Sequence, residues 1–375
     1  MSGFLFSSHD GFGLGHVRRN AKIASALRSI DRRTPITLVT GVATRFAWLD
    51  QSGVNVVRVP PILKDTGGDY AAAGMSLHEA VAQRARSFAE AVERLDPDVL
   101  IVDRHPFGLF GELREGLEHA HRRGARIVLG LRDVLDEPAT VAHELASERW
   151  VGASDVYDEA MVYGEALLCD HEEEYGLPLR PVYCGWVADA VRPLRRQPHL
   201  LAVTAGGGGD GEEICRLGVE VLRLKPRWRA IVVVGPYAGA HVLKTQSARQ
   251  VRRRLEIAPN VNGCSRMFGR AGGVLAMAGY NSAYEALAAG LRPIFRPRIA
   301  PRREQVIRAT RLADLGFADV VPENADPIDV AGLLDRPRML HPNALARAGI
   351  ALDGAQRAAG HLVQLAGRRR AARVA

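Results

Sequence analysis

A histidine and an aspartate each follow a predicted β-strand at a position where they could act together as a general base. Residues 9–19 read HDGFGLGHVRR, which places glycines at alternate positions 11, 13 and 15 and His16 at the start of a predicted helix. The apolar run PDVLIVD ends in Asp103. A carboxylate beside an imidazole fixes its tautomer and raises its basicity, as a general base requires. The alternatives are that His16 packs at a helix start and that Asp103 caps a loop.

The glycine-rich turn before His16 matches neither common nucleotide-binding signature. A dinucleotide fingerprint is G-x-G-x-x-G with an acid about 20 residues later, but here the third glycine comes one position early and no such acid follows. No G-K-[ST] follows either, which excludes a Walker loop. The free backbone N–H groups of a helix start still favour an anion or developing negative charge.

A second glycine-rich turn occurs near the middle of the chain, in TAGGGGDGEE at residues 204–213. Four consecutive glycines allow the backbone to approach phosphate oxygens closely, so a diphosphate is the expected ligand. Asp210 and Glu213, which follow, fit a helix cap.

The segment MAGYNSAYEALAAG at residues 277–290 predicts a strand, a turn and then a helix over residues 283–289. Asn281 and Ser282 in this turn suit a phosphate, and Glu285 suits ribose hydroxyls. The same letters also fit a capping box formed by Ser282 and Glu285, with Gly290 as the C-terminal cap. From the residues alone, both interpretations remain open.

The elements that must position these residues alternate between short apolar runs and amphipathic helices, which predicts an α/β fold with parallel sheets. We predict two Rossmann-like domains that face each other across a cleft: residues 1–187, a linker at 188–198 containing RPLRRQP, and residues 199–375. It stays open whether the last helix packs back on the first domain. Residues 60–76 are predicted to form a long loop.

Composition narrows the class of protein. With 375 residues, 47% hydrophobic and 25% charged, the chain is expected to be a globular, cytoplasmic protein. The first residues lack a basic leader, no apolar run suits a membrane span, and four scattered cysteines are expected to be reduced thiols. The net charge is +8, but the arginines alternate with acids, so we expect no nucleic-acid partner. A basic face that contacts anionic lipid stays open.

The segment GYNSAYEALAAG resembles the G-x-N-S-x-x-E-A-x-x-x-G donor motif of GT-B glycosyltransferases. These include the plant-type UDP-glycosyltransferases and the family-28 enzymes related to the peptidoglycan N-acetylglucosaminyltransferase. SHDGFGLGHVRRNAKIA, DVLIVDRHPFGLFGEL and LGLRDVLDEP look most like a bacterial group of predicted glycosyltransferases in that superfamily. The resemblance covers essentially the whole chain.

The resemblance implies roles for residues at matching positions in the first domain. Gly13, Gly15 and His16 match the loop where the family places a histidine that is catalytic or contacts the diphosphate. Asp103 matches the carboxylate that orients this histidine. The acceptor is then expected near residues 60–76 and the region after Asp103.

In the second domain, the resemblance implies that Asn281 and Ser282 contact phosphate, Glu285 the ribose, and Glu304 and Gln305 the sugar hydroxyls. Met277 stands where plant-type enzymes have a phosphate-binding histidine, so another group, such as Arg266 or an arginine at 302–303, must contribute. The full set of expected donor contacts in this domain is Gly206, Gly207, Gly208, Gly209, Arg266, Met267, Phe268, Gly279, Asn281, Ser282, Glu285, Glu304 and Gln305.

The function implied is sugar transfer from a nucleoside-diphosphate sugar, most simply a UDP-sugar, to a hydroxyl or amine, with inversion. No metal and no further cofactor are expected, because Asp96-Pro97-Asp98 reads as a turn rather than a D-x-D metal motif. Two alternatives stay open: a sugar-nucleotide 2-epimerase of the same architecture, and a non-catalytic subunit that binds a sugar nucleotide.

Overall fold

The computed structural model describes residues 3–8, 14–50, 52–64, 69–189, 191, 194–205, 211–234, 249–259 and 263–374. The chain divides into two compact units. The first contains residues 1–187 and 353–375, and the second contains residues 188–352. Residues 353–375, which the sequence analysis grouped with the C-terminal domain, therefore belong to the first unit.

The first unit is built on a parallel seven-stranded sheet with the order β3-β2-β1-β6-β7-β8-β9. Its strands are β1 (Phe4–Ser8), β2 (Ile36–Thr40), β3 (Asn55–Arg58), β6 (Val99–Asp103), β7 (Arg126–Arg132), β8 (Glu159–Tyr163) and β9 (Pro181–Tyr183). Helices follow at Gly15–Ile30, Ala47–Asp50, Leu77–Leu95, Arg114–Arg122, Pro138–Leu145, Ala153–Val156, His171–Tyr175 and Gly354–Val374, with a 3-10 turn at Glu148–Trp150.

The second unit has a parallel six-stranded sheet with the order β12-β11-β10-β13-β14-β15. Its strands are β10 (Leu200–Thr204), β11 (Arg229–Val234), β12 (Leu255–Pro259), β13 (Gly273–Ala276), β14 (Ile294–Phe295) and β15 (Asp319–Val320). Among the described residues of this unit, helices lie at Glu212–Leu224, Arg249–Arg252, Ser265–Phe268, Tyr280–Ala288, Glu304–Asp314, Pro327–Leu333 and Ala344–Arg347. The predicted α/β class with parallel sheets is confirmed.

Both sheets reverse their strand order beside the first strand of the unit. In the first unit β1 lies between β2 and β6, and in the second β10 lies between β11 and β13. The carboxyl ends of such a pair open a crevice between loops that run in opposite directions, and ligands of open α/β sheets bind there. The two predicted reactive segments are thus placed next to the switch points of their own sheets.

The long loop predicted at residues 60–76 contains a small antiparallel hairpin. Its strands are β4 (Ile62–Lys64) and β5 (Tyr70–Ala72). The hairpin packs through Ile62 on Ala80 and Leu109, three buried residues of one small apolar cluster. Strands of three residues carry almost no periodicity, so composition favoured a loop over the hairpin.

The C-terminal helix is held against the rest of the first unit by pairs of polar side chains. Arg357 pairs with Glu165, and His361 pairs with the buried carboxylate of Glu159.

Along the described ranges, no helix is both long and apolar enough to cross a lipid bilayer. All four cysteines are buried free thiols, and burial raises the pKa of Cys184 and Cys215 to about 12.

Candidate active site

His16 and Asp103 lie side by side at the switch point of the first sheet. His16 is the second residue of the helix that follows β1, and Asp103 is the last residue of β6. Because β1 and β6 pair in parallel, the end of β6 is next to the end of β1. Asp103 Oδ2 lies 3.0 Å from Nδ1 of His16, whose side chain is 20% exposed.

Arg19 is a third member of this cluster that the sequence analysis missed. One of its terminal nitrogens donates to both carboxylate oxygens of Asp103, at 2.8 and 2.7 Å. The same nitrogen lies 3.1 Å from Nδ1 of His16. The signal was present in the sequence, because residues three apart on a helix share a face, so H-V-R-R places Arg19 beside His16. We call His16, Arg19 and Asp103 the charged triad.

Arg19 and His16 keep the carboxyl group of Asp103 ionised. Burial by itself would raise the pKa of this carboxyl, but the positive charge of Arg19 and the hydrogen bond with His16 more than offset it and hold the pKa well below its ordinary value. An ionised carboxylate only accepts hydrogen bonds, so a hydrogen bond between Asp103 and His16 requires a proton on Nδ1, whereas an unprotonated Nδ1 would accept from the Arg19 nitrogen instead. In the tautomer with its proton on Nδ1, Nε2 is the ring nitrogen that can accept a proton.

A tyrosine supports Arg19 from the other side. The guanidinium carbon of Arg19 lies 4.6 Å from the ring centroid of Tyr163, the last residue of β8. Both side chains are fully buried. A desolvated cation over an aromatic face is attracted by the ring quadrupole, which fixes where the guanidinium sits. Gly130 on β7 makes room for the tyrosine, since a Cβ there would lie 2.4 Å from the Tyr163 hydroxyl oxygen.

Gly130→Ala is therefore expected to destabilise the first unit by about 1–3 kcal/mol, because the added methyl group must push Tyr163 away from Arg19. Urea unfolding of the variant measures this loss. Gly360→Ala is the matched control, because its Cβ meets nothing within 4 Å and it lies inside a helix. Equal stability of the Gly130 variant and the wild type would show that Tyr163 is not held in place by this contact.

On the second unit, the predicted donor segments follow neighbouring strands. Thr204 at the end of β10 pairs with Ala276 at the end of β13. Gly206 to Gly209 follow β10, but these four glycines and Gly13 of the first unit lie outside the described residues. After β13, Ala278 adopts a left-handed backbone with φ 60° and leads into the helix Tyr280–Ala288. A non-glycine residue in that region is strained, and such strain clusters at functional sites.

The capping box considered for Ser282 and Glu285 is not formed. The helix begins at Tyr280 rather than at residue 283, and its N-cap is Gly279, with no side-chain cap. Ser282 instead donates to the carbonyl oxygen of Gly279, at 3.0 Å. The other end follows the prediction: Gly290 has φ 70°, and the N–H of Leu291 reaches back to the carbonyl of Ala286.

Asn281 and Glu285 lie on this first part of the helix in contrasting states. Glu285 is buried, and its Oε2 accepts the backbone N–H of Cys264 at 2.8 Å. The side-chain oxygen of Asn281 is shielded from water and accepts no hydrogen bond from any described residue. A buried amide oxygen without a donor costs free energy, so this side chain is suited to meet a ligand.

Glu304 and Gln305 begin the next helix and are both buried. Arg298 connects them: its guanidinium lies 3.2 Å from Oε1 of Glu304, and its backbone N–H donates to Oε1 of Gln305 at 3.2 Å. One turn further, the fully buried Arg308 donates to the carbonyl oxygen of Ala278 at 2.9 Å. Arg308 thereby joins the Glu304 helix to the strained turn, a connection that sequence reasoning did not identify.

The remaining predicted donor residues lie on or near β13. Arg266 and Met267 are on the short helix Ser265–Phe268, where Arg266 is exposed and Phe268 is fully buried. Met277 is buried in the apolar core of the second unit.

Within the described ranges, no three His, Cys, Asp or Glu side chains are grouped closely enough to hold a metal ion. Asp98 of the Asp96-Pro97-Asp98 sequence accepts the backbone N–H of Gly3.

Known proteins with similar structures cover almost the whole chain. The glycotransferase of kitacinnamycin superposes with a TM-score of 0.68 at 15% identity, over 97% of this chain and 99% of that one. The calicheamicin glycosyltransferase CalG4 gives 0.66 at 16% identity, over 98% and 99%. LpCGTa, solved in complex with UDP, gives 0.62 at 15% identity, over 97% and 99%. The chain has the GT-B fold. No protein-family model and no curated protein matches its sequence.

Proposed function

We propose that this GT-B protein is a glycosyltransferase that moves a sugar from a UDP-type nucleotide sugar to a hydroxyl or amine acceptor, with inversion at the anomeric carbon. The proposal rests on the solved GT-B structures, of which LpCGTa carries UDP, together with the site itself. The observation that carries it is the position of the charged triad, at the switch point of its sheet.

The proposed chemistry uses the His16 tautomer with its proton on Nδ1. Its Nε2 takes the proton of the acceptor O–H or N–H while the acceptor atom forms a bond to the anomeric carbon. The bond from that carbon to the diphosphate oxygen breaks, and its electron pair leaves with the nucleoside diphosphate. Asp103 accepts from Nδ1 and stabilises the imidazolium that forms. In the second unit, the backbone N–H groups at the start of the Tyr280–Ala288 helix are suited to the negative charge of the leaving group.

Asn281→Ala is expected to weaken UDP binding by about tenfold, because a hydrogen bond to a buried amide is lost. The same change should leave the melting temperature of the ligand-free protein nearly unaltered, since the amide oxygen has no donor within the described part of the chain. Isothermal titration with UDP measures the first and thermal unfolding the second. Glu285→Ala would be a poorer probe, because it also removes the acceptor of the Cys264 N–H.

The matched control is Asn324→Ala, an exposed asparagine of the same unit that should bind UDP as the wild type does. If Asn281→Ala binds UDP with unchanged affinity, the nucleotide is not held by this helix start. If UDP, GDP and ADP all fail to raise the melting temperature of the wild type, the proposed donor class is wrong. A ligand present at a hundred times its Kd adds about 2.7 kcal/mol, which such a scan detects.

Metal independence is a separate part of the proposal. The leaving diphosphate is expected to be stabilised by helix N–H groups, so turnover of a UDP-sugar should continue in the presence of excess EDTA. Release of UDP from a panel of UDP-sugars, measured with and without EDTA, is the assay. Loss of turnover in EDTA with recovery on addition of magnesium or manganese would contradict this part.

A further inference from the structure

The second unit has a concave pocket lined largely by arginine. It lies at the amino ends of the strands, whereas the Asn281 turn follows the carboxyl end of β13. It has a volume of about 610 Å³ and is lined by Leu194, Arg195, Arg196, Gln197, Pro198, His199, Arg227, Arg229 and Arg270. These residues stand at the amino ends of strands: His199 directly precedes β10, and Arg229 is the first residue of β11. We call this feature the arginine pocket. Residues 194–198 of the pocket belong to the segment predicted as a linker.

The arginine pocket concentrates positive charge without compensation. Five of its nine lining residues are arginine, and none of the nine carries a carboxylate. Within the described ranges, Arg227, Arg229 and Arg270 form no ion pair. Elsewhere in the same unit, comparable arginines are neutralised, as Arg223 is by Glu220. A set of cations that lines one pocket without a carboxylate among its members favours the binding of an anion there.

The chain segment that lines the pocket is held in place by hydrogen bonds to the rest of the unit. The guanidinium of Arg196 donates to the carbonyl oxygens of Ala271 and Ala289, at 2.8 and 2.7 Å, which holds the 194–199 segment against the body of the unit. The backbone N–H of Gln197 donates to the carbonyl oxygen of Arg270 at 2.8 Å. The Trp228 ring between Arg227 and Arg229 is buried and packs edge-on against His199. The arginines therefore project from a fixed frame.

We propose that the arginine pocket binds a compact anion that presents two or more phosphate groups close together. Guanidinium groups form paired hydrogen bonds with phosphate oxygens and are more weakly hydrated than ammonium groups, which suits them to this ligand. The volume is in the range of small-molecule sites, about 300–1,000 Å³. The phosphates can belong to a soluble polyphosphorylated molecule or to lipid head groups. This site is distinct from the proposed UDP site, because it lies at the amino ends of the strands.

Tripolyphosphate binding, measured by isothermal titration in the presence of saturating UDP, tests the proposal. The wild type should bind, and affinity should fall steeply with added salt. Arg227→Gln combined with Arg229→Gln should reduce affinity by about tenfold or more, since two charged donors are lost. Both arginines are exposed and unpaired within the described ranges, so the double variant should fold. Its UDP affinity should match the wild type, which keeps this test separate from that of the donor site.

The control is Arg336→Gln combined with Arg347→Gln, which removes the same charge from two exposed positions of the same unit outside the pocket. A second arm measures co-sedimentation with vesicles of phosphatidylglycerol and phosphatidylcholine, against phosphatidylcholine alone. Tripolyphosphate binding lost only in the pocket variant identifies a soluble ligand, and vesicle binding lost only in that variant identifies lipid head groups. If the pocket and control variants behave alike in both arms, the proposal is overturned.

Discussion

Replacing His16 with alanine is expected to lower the turnover of a UDP-sugar by roughly a hundredfold or more while leaving UDP affinity unchanged. The reason is geometric. In the proposed mechanism Asp103 holds the ring through Nδ1, 3.0 Å away, and Nε2 accepts the acceptor proton, so loss of the ring leaves that proton without a base. Steady-state kinetics and titration with UDP give the two quantities, with the UDP-sugar that turns over fastest as substrate.

Three outcomes for this variant separate three roles of His16. Lost turnover with intact UDP affinity supports the base. Weakened UDP affinity supports a contact with the diphosphate. A lower melting temperature with normal turnover per folded molecule supports a packing role only, and either of the last two contradicts the base. His119→Ala, an exposed histidine of the same unit, is the control and should change none of these measurements.

Replacing Arg19 with methionine is expected to destabilise the protein by about 3–5 kcal/mol, the usual cost of leaving a buried charge without its partner. Asp103 is 1% exposed and Arg19 is 2% exposed, so water cannot take the place of the guanidinium. Asp103→Asn leaves Arg19 facing a neutral amide in the same way. The Asp103→Asn variant therefore changes the ion pair with Arg19 as well as the orientation of His16. A loss of turnover in this variant would not report the orientation of His16 alone, as the sequence suggested.

Combining Arg19→Met with Asp103→Asn should restore part of the stability, because neither charge is then left alone, and urea unfolding of the cycle measures the coupling. Arg122→Met, at an exposed helix position, is the control. Additive losses in the cycle would show that the two side chains do not stabilise each other.

The pH dependence of stability provides a second readout of the same pair. The folded-state pKa of Asp103 is lowered, so its contribution to stability is present above its unfolded pKa of about 4 and is lost as the pH falls below that value. Without Arg19, burial raises this pKa and the loss on acidification should become weaker. Unfolding of the wild type and of Arg19→Met at about pH 7 and about pH 3 measures the difference. An unchanged pH dependence would contradict the pairing.

The sequence by itself determined the class of fold and suggested the residue types of the candidate site. Strands such as Val99–Asp103 are short apolar runs whose burial does not depend on which strand lies beside them, so they could be recognised locally. The glycine turns and GYNSAYEALAAG likewise carry their signal in adjacent residues. The positions of His16 after β1 and of Asp103 at the end of β6 followed from the same local pattern.

Only the tertiary structure decided which of these residues meet. Arg19 donates a hydrogen bond to Asp103, 84 residues away along the chain, because β1 and β6 are neighbours in the sheet. The order of strands in a sheet cannot be deduced from the local periodicity of the sequence. Glu285 accepts the N–H of Cys264 instead of forming a capping box with Ser282, because Cys264 is the donor that packs against this buried carboxylate. The C-terminal helix joined the first unit through Glu159 and Glu165 for the same reason. Periodicity reports what a segment buries, whereas its partners are chosen by contacts that form only when distant segments pack together.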